Sequence, residues 1–215
     1  MRDTQSEGDV RQVYDRVADA YADRFTGTEA EQPLDLAMIE CFASLLPDER
    51  RVLDAGCGTG RLLPVLARLG CAVEGVDLSS GMVRRARQDH PSFTIAVGSL
   101  TDLPHAAGTF EGCMAWYSTI HSPDHDVPRI LAELARVLRD GGVLLIAFQS
   151  GDGLRDVSEA YRAAGHDVTL TRHLRSLDQM AGMLSAAGFT EVARMERQPM
   201  AAHERDSQAF LIARR

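Results

Sequence analysis

Apolar positions follow two spacings along this chain. Over residues 10–25 they recur at helical intervals (Val13, Val17, Ala20, Tyr21, Phe25), which predicts an amphipathic helix. A second helix is expected over 34–46, ended near Pro47. From Arg51 onward, short apolar runs at 51–55, 72–76, 93–97, 110–116 and 143–149 predict strands. The last run is nearly continuous, as a central strand buried on both faces requires. Helical spacing returns between the strands at 61–69, 79–88 and 127–139. In the third of these, Ile130, Leu131, Leu134, Val137 and Leu138 form the stripe, with Asp126 expected as N-cap ahead of Pro128 and Gly141 as the stop. Such alternation points to a parallel sheet.

The pattern changes towards the C-terminus. A helix over 176–187, closed by Gly188, is followed by two strands at 189–195 and 208–213, joined by a polar turn. Two consecutive strands predict an antiparallel pair. Residues 151–171 are the least regular and follow the fifth strand, where loops face the ligand crevice of an open α/β sheet. The 215 residues suffice for one α/β domain, and no repeat or linker divides them. We therefore expect a single domain over 1–215, with a helical region at 1–46 and a sheet core at 51–215.

Composition narrows the partners. A net charge of −8 disfavours a nucleic-acid substrate, which calls for a basic groove. No apolar run approaches membrane-spanning length, and the first residues lack a signal-peptide core, so no membrane partner is expected. Cys41, Cys57, Cys71 and Cys113 form no CxxC or His–Cys pattern, which predicts a reduced, cytoplasmic protein without a metal site.

The chemistry concentrates in Val52-Leu53-Asp54-Ala55-Gly56-Cys57-Gly58-Thr59-Gly60. A strand, a glycine turn and a helix make a nucleotide-binding unit, because glycine lets backbone approach a ligand without a Cβ in the way. Asp77 follows at about 20 residues, the distance at which an acid holds a ribose diol. Dehydrogenases carry a similar turn, so a nicotinamide-dependent oxidoreductase stands as one alternative.

The order D-A-G-C-G-T-G resembles motif I of the class I S-adenosylmethionine-dependent methyltransferases. V-E-G-V-D-L-S-S-G-M, L-T-D-L-P, T-F-E-G-C-M-A-W-Y and L-R-D-G-G-V-L-L-I-A follow in the family's order, from about Arg51 onward. The resemblance implies a Rossmann-like, doubly wound, mostly parallel seven-stranded sheet closed by the C-terminal antiparallel pair. It implies S-adenosyl-L-methionine as cofactor and a small-molecule methyl acceptor at O, N, S or C, on a monomer or homodimer. The string V-Y-D-R-V-A-D-A-Y resembles the family's leading helix, a lid that would bring Tyr14 and Tyr21 over the cofactor.

By the same resemblance, the turn from Gly56 through Cys57 and Gly58 to Gly60 cradles the methionine and ribose portion, and Asp54 orients the ammonium. Asp77 holds the ribose, Leu78 and Met82 face the adenine, and Trp116 meets the methionine portion. Ser99 and Leu100 stand where the family carries an acid and a small residue against the adenine amino group. Serine keeps an acceptor but brings no charge, and Asp102 is close enough in sequence to compensate. His121, with His125 beyond it, lies past the fourth strand on the crevice side. Its ordinary pKa near neutrality suits a base that deprotonates the acceptor, with Tyr117 and Asp124 available to orient it. Arg172 and His173 are further acceptor contacts. No D-P-P-Y or N-P-P-Y string follows the fourth strand, which disfavours amino-directed DNA or protein-glutamine substrates. A cofactor-binding protein without methyl transfer is the other alternative.

Overall fold

A computed structural model describes residues 5–163, 165–201 and 204–215. Two helices come first, α1 (Glu7–Arg24) and α2 (Pro33–Ser44). The α/β run follows as β1 (Arg51–Ala55), α3 (Leu63–Arg68), β2 (Ala72–Asp77), α4 (Ser80–Asp89), β3 (Thr94–Val97) and β4 (Phe110–Trp116). It continues through α5 (Val127–Val137) and β5 (Leu138–Ser150). An excursion of β6 (Gly153–Asp156), α6 (Ser158–Ala163) and β7 (Thr171–Leu174) leads to α7 (Leu177–Ala186) and the terminal strands β8 (Thr190–Arg197) and β9 (Ser207–Arg214).

The main sheet has seven strands in the order β3-β2-β1-β4-β5-β9-β8. Its first five strands run parallel, and β9 and β8 are antiparallel, as the terminal strand pattern predicts. Every residue of β4 is buried, as its place in the middle of the sheet demands. Apolar layers cover both faces. Ile130, Leu131 and Leu134 of α5 pack with Met180 and Leu184 of α7 on one side. Ile39 and Phe42 of α2 pack with Leu63 and Leu66 of α3 on the other. Strand order reverses between β1 and β4, and an open α/β sheet forms its ligand crevice at such a point.

Three local expectations give way. Helix α5 ends at Val137, and Leu138, with ψ of 145°, turns directly into β5, so Gly141 sits inside a strand and stops no helix. Asp126 occupies the N-cap position with helical ψ of −25° and caps nothing with its side chain. The stretch expected to be least regular, 151–171, contains β6 and α6, and β6 pairs with β7 as a second, antiparallel sheet. That pairing is between residues about 20 apart, beyond the reach of local periodicity.

Helix α1 begins with a reciprocal cap between Ser6 and Asp9 and packs away from the sheet. Val17 and Ala18 meet Met82 of α4, and Val13 meets Val168 and Leu170. The Asp15 carboxylate accepts from Ser79 Oγ (2.6 Å) and the Gly81 N–H (2.8 Å), so α1 caps the start of α4 from outside. Among the described residues no helix is long and apolar enough to cross a membrane, and no cluster of His, Cys, Asp and Glu could hold a metal ion.

Candidate active site

At the carboxyl ends of β1, β2 and β4 lies a cavity of about 640 Å³, walled by α1 on one side and by β6 and β7 on another. The glycine turn forms its floor. The Gly56 and Cys57 N–H groups both donate to Val76 O (2.7 and 2.9 Å), which fastens the turn to the end of β2. Gly56 has φ of 86°, and a Cβ there would come within 2.2 Å of Ser118 Cβ in the loop after β4. Gly58, with φ of 55°, would project its Cβ into open space and lines the cavity. The two glycines do different work: one permits a close backbone approach, the other leaves room.

Gly60 and Cys57 stand back from the main cavity. A Cβ on Gly60 would meet His90, Leu63 and Ala86, so this glycine lets helix and turn pack together. The Cys57 sulfur lies against Gly75 of β2.

Asp77 closes the floor. One oxygen accepts from the Gly58 N–H (2.8 Å) and the other from the Ser79 N–H (2.9 Å). Burial raises its pKa, and these N–H groups oppose the rise by stabilising the anion. Each carboxylate oxygen has acceptor capacity left for a ligand hydroxyl. Leu78, Met82 and Leu100 line the wall beside it. Ser99 does not: its hydroxyl is spent on the Thr101 hydroxyl (2.8 Å) and N–H (3.0 Å), and Thr101 takes the lining place. Asp102 is likewise outside the lining, its N–H bonded to Ser99 O.

Asp54 is 2% exposed and its Oδ1 has no hydrogen-bond partner. Burial pushes its pKa up to about 7, with Arg61 pulling the other way. It borders a small void of about 50 Å³ beside the glycine turn, together with Tyr21, Arg61 and Trp116. A buried, unpartnered carboxylate oxygen calls for a donor, and a ligand ammonium supplies one. Arg61 cannot fill that role, since Glu31 holds its guanidinium through two contacts (2.6 and 2.7 Å). The Trp116 indole also donates to Glu31, at 3.1 Å. Sequence reasoning missed both. Arg61 directly follows the last glycine of the turn and was within reach, whereas Glu31 lies in a loop with no pattern.

His121 departs from expectation in its surroundings. It is 9% exposed, and its Nδ1 lies 2.7 Å from Thr171 O while Nε2 lies 2.9 Å from the Tyr14 hydroxyl. A carbonyl only accepts, so Nδ1 carries the proton and Nε2 accepts from Tyr14. Burial drives its pKa down to about 4, so the ring is neutral across the physiological range. Neither expected neighbour orients it: Asp124 pairs with Arg175 (2.8 Å), and Tyr117 packs on Trp116 and Phe210. Tyr117 has φ of 55°, an uncommon conformation for a bulky residue, at the end of β4 on the cavity wall. His125 is mostly exposed and faces Asp126 at 3.7 Å.

Residues 52–142 match a family model described as a methyltransferase domain. A malonyl-[acyl-carrier protein] O-methyltransferase of Erwinia pyrifoliae is 34% identical over 160 residues, covering 70% of this chain and 60% of that protein. Residues 52–142 are a methyltransferase domain, and the chain around them is similar to the class I S-adenosylmethionine-dependent methyltransferases. Methyltransferase GfsG of Streptomyces halstedii is 35% identical over 149 residues, 65% of this chain and 52% of its own. The chain thus spans little more than half the length of the curated relatives it matches.

Solved structures agree on the fold. A methyltransferase from Methanosarcina mazei superposes with a TM-score of 0.68 at 19% identity, over 81% of this chain and 96% of that one. The [4+2]-cyclase SpnF superposes with a TM-score of 0.73, also at 19% identity, over 98% and 97%. S-adenosylmethionine is the cofactor of this methyltransferase family, and the free Asp54 oxygen, the open face of Gly58 and the Asp77 carboxylate fit such a ligand in this chain.

Proposed function

We propose that this chain transfers a methyl group from S-adenosylmethionine to a nucleophilic atom of a small molecule. The observation that carries the reading is the Asp77 carboxylate, fixed by the Gly58 and Ser79 N–H groups and facing a cavity large enough for cofactor and acceptor together. When bound, the sulfonium supplies an electrophilic methyl group. The protein's part is alignment in a site shielded from water. Asp77 holds the ribose hydroxyls, Asp54 takes the ammonium, and Leu78, Met82 and Leu100 enclose the base. Tyr14 and Tyr21 of α1 stand across the cavity as its lid, with Trp116 behind. His121 holds the Tyr14 hydroxyl and, where the acceptor arrives protonated, receives its proton at Nε2 through Tyr14.

Calorimetry with S-adenosylhomocysteine tests the cofactor assignment. Losing a charge-assisted hydrogen bond costs about 1.5–3 kcal/mol, so Asp77→Ala weakens binding on the order of 10- to 100-fold. NAD binding, or an unaffected variant, would overturn it. A panel of O, N, S and C acceptors, read by release of S-adenosylhomocysteine, tests transfer. The likeness to a cyclase keeps a second reading in view, in which the cofactor binds and no methyl moves. Tight binding with no release across the panel would favour it.

A further inference from the structure

The β6–β7 hairpin sets two arginines directly opposite each other, Arg155 and Arg172, and both line the main cavity. Like charges in cross-strand register repel, so such a pair persists only where negative charge offsets it. The structure gives both the same buried carboxylate. Asp206 lies 2.5 Å from Arg155 and 3.6 Å from Arg172. The Nε–H of each arginine is buried without a hydrogen-bond partner. Three acids of the cavity wall have partners of their own: Glu204 is held by Arg197 (2.6 Å), Asp156 accepts from the Ser158 N–H (2.8 Å) and lies 3.7 Å from Arg162, and Glu159 lies 3.9 Å from Arg205.

Two guanidinium groups over one carboxylate leave a positive charge with donors to spare. Its position is informative. Arg172 directly follows Thr171, whose carbonyl holds His121, and the His173 N–H donates to Ile120 O (2.7 Å), which clamps β7 to the loop after β4. The charge therefore stands beside the Tyr14–His121 pair, away from the Asp54 and Arg61 corner where the cofactor's amino-acid end fits.

Resting on the proposed methyl transfer, we infer that the acceptor carries an anionic oxygen group, a carboxylate or a phosphate, which Arg155 and Arg172 bind. Arginine suits this task because its planar fork meets such groups through two parallel N–H contacts. The anion completes the neutralisation that Asp206 begins, and its place on the hairpin turns the rest of the acceptor towards the methyl-transfer corner.

The test titrates hexanoate, benzoate and methyl phosphate, with hexanamide and benzamide as neutral counterparts, into the protein alone and into its S-adenosylhomocysteine complex. Each carboxylate is expected to bind about tenfold or more tightly than its amide. Arg172→Gln, which leaves the Arg155–Asp206 pair intact, should erase that preference with S-adenosylhomocysteine affinity unchanged. Asp206→Asn, which frees both arginines, should enlarge it, with circular dichroism confirming the fold. Equal binding of acids and amides, or a preference that survives both Arg155→Gln and Arg172→Gln, overturns the inference. It is also overturned if Arg172→Gln weakens S-adenosylhomocysteine and spares the carboxylates, since the bound anion is then the cofactor's own. Failure of the wild type to bind S-adenosylhomocysteine would defeat the methyltransferase reading, while a carboxylate preference on the protein alone would still support the anion site.

Discussion

The Tyr14 hydroxyl and His121 Nε2, 107 positions apart in the chain, lie 2.9 Å from each other. One belongs to the first helix and the other to the loop after β4, so this bond joins the outer wall of the cavity to the sheet. With Nδ1 held by Thr171 O, the imidazole has no remaining donor or acceptor for a ligand while Tyr14 stays in place.

Several consequences of that pairing can be measured. Tyr14→Phe leaves a buried nitrogen unpaired and should lower stability by about 1–3 kcal/mol in urea melts. On the proposed transfer of the acceptor's proton through Tyr14 to His121, turnover should fall with it. His121→Ala should lower turnover by roughly 10²–10⁴-fold if the proton passes to it, with little change in cofactor affinity. The folded pKa of about 4 lies below the ordinary 6.5, so the unfolded chain takes up the proton first. This contribution to stability is full above about pH 6.5 and is lost as pH falls through about 4. The corresponding limb of the rate profile should also lie near 4. A limb near neutrality would mean the ring is solvated in the working enzyme.

The proposed contact of Asp54 with the cofactor's ammonium would make cofactor binding proton-linked. Its folded pKa of about 7 is raised by burial, so the ligand-free protein holds a proton there below that pH. The associated stability is full below the ordinary carboxylate pKa and is lost as pH rises through about 7. An arriving ammonium requires the carboxylate. Affinity for S-adenosylhomocysteine should therefore climb with pH, by up to about tenfold per unit, and level off above about 7. Calorimetry in buffers of different ionisation enthalpy should register proton release at pH 6 and little at pH 8. A flat profile would take Asp54 out of ammonium binding.

The two turn glycines should fail differently. Both substitutions impose about 1–2 kcal/mol for a left-handed backbone. Gly56→Ala adds the collision with Ser118, for a further cost of about 1–3 kcal/mol, and should register mainly as lost stability. Gly58→Ala meets no neighbour and puts its methyl group into the cavity, so it should register mainly as lost cofactor affinity. Equal losses of stability would show that the Ser118 contact relaxes.

Helix α1 is held to α4 by Asp15 and by exposed pairs of Arg84 with Asp19 and Arg85 with Asp23. Exposed pairs contribute little, so the attachment of α1 rests on Asp15 and on the packing of Val17 and Ala18 against Met82, and Met82 itself lines the cavity beneath the helix. S-adenosylhomocysteine should slow amide exchange across residues 9–25. Removing the segment should abolish turnover with the sheet still folded by circular dichroism. Identical exchange with and without ligand would make α1 a fixed wall and no lid.

Local pattern carried much of this protein. The alternation of short apolar runs with helical stripes was enough for the parallel sheet and its antiparallel close, because burial on a strand or helix face writes a period into the chain. The glycine turn and Asp77 were equally legible, since backbone approach to a ligand demands glycine at fixed offsets. Contacts between distant segments left no such trace. Nothing in the run around Glu31 announces that it holds Arg61 and Trp116, and no motif ties Gln5, Tyr14 or His121 to the strand at Thr171. His121 shows the division most clearly: sequence placed it on the crevice side, while burial and the Tyr14 hydroxyl, which only tertiary packing supplies, decided its protonation.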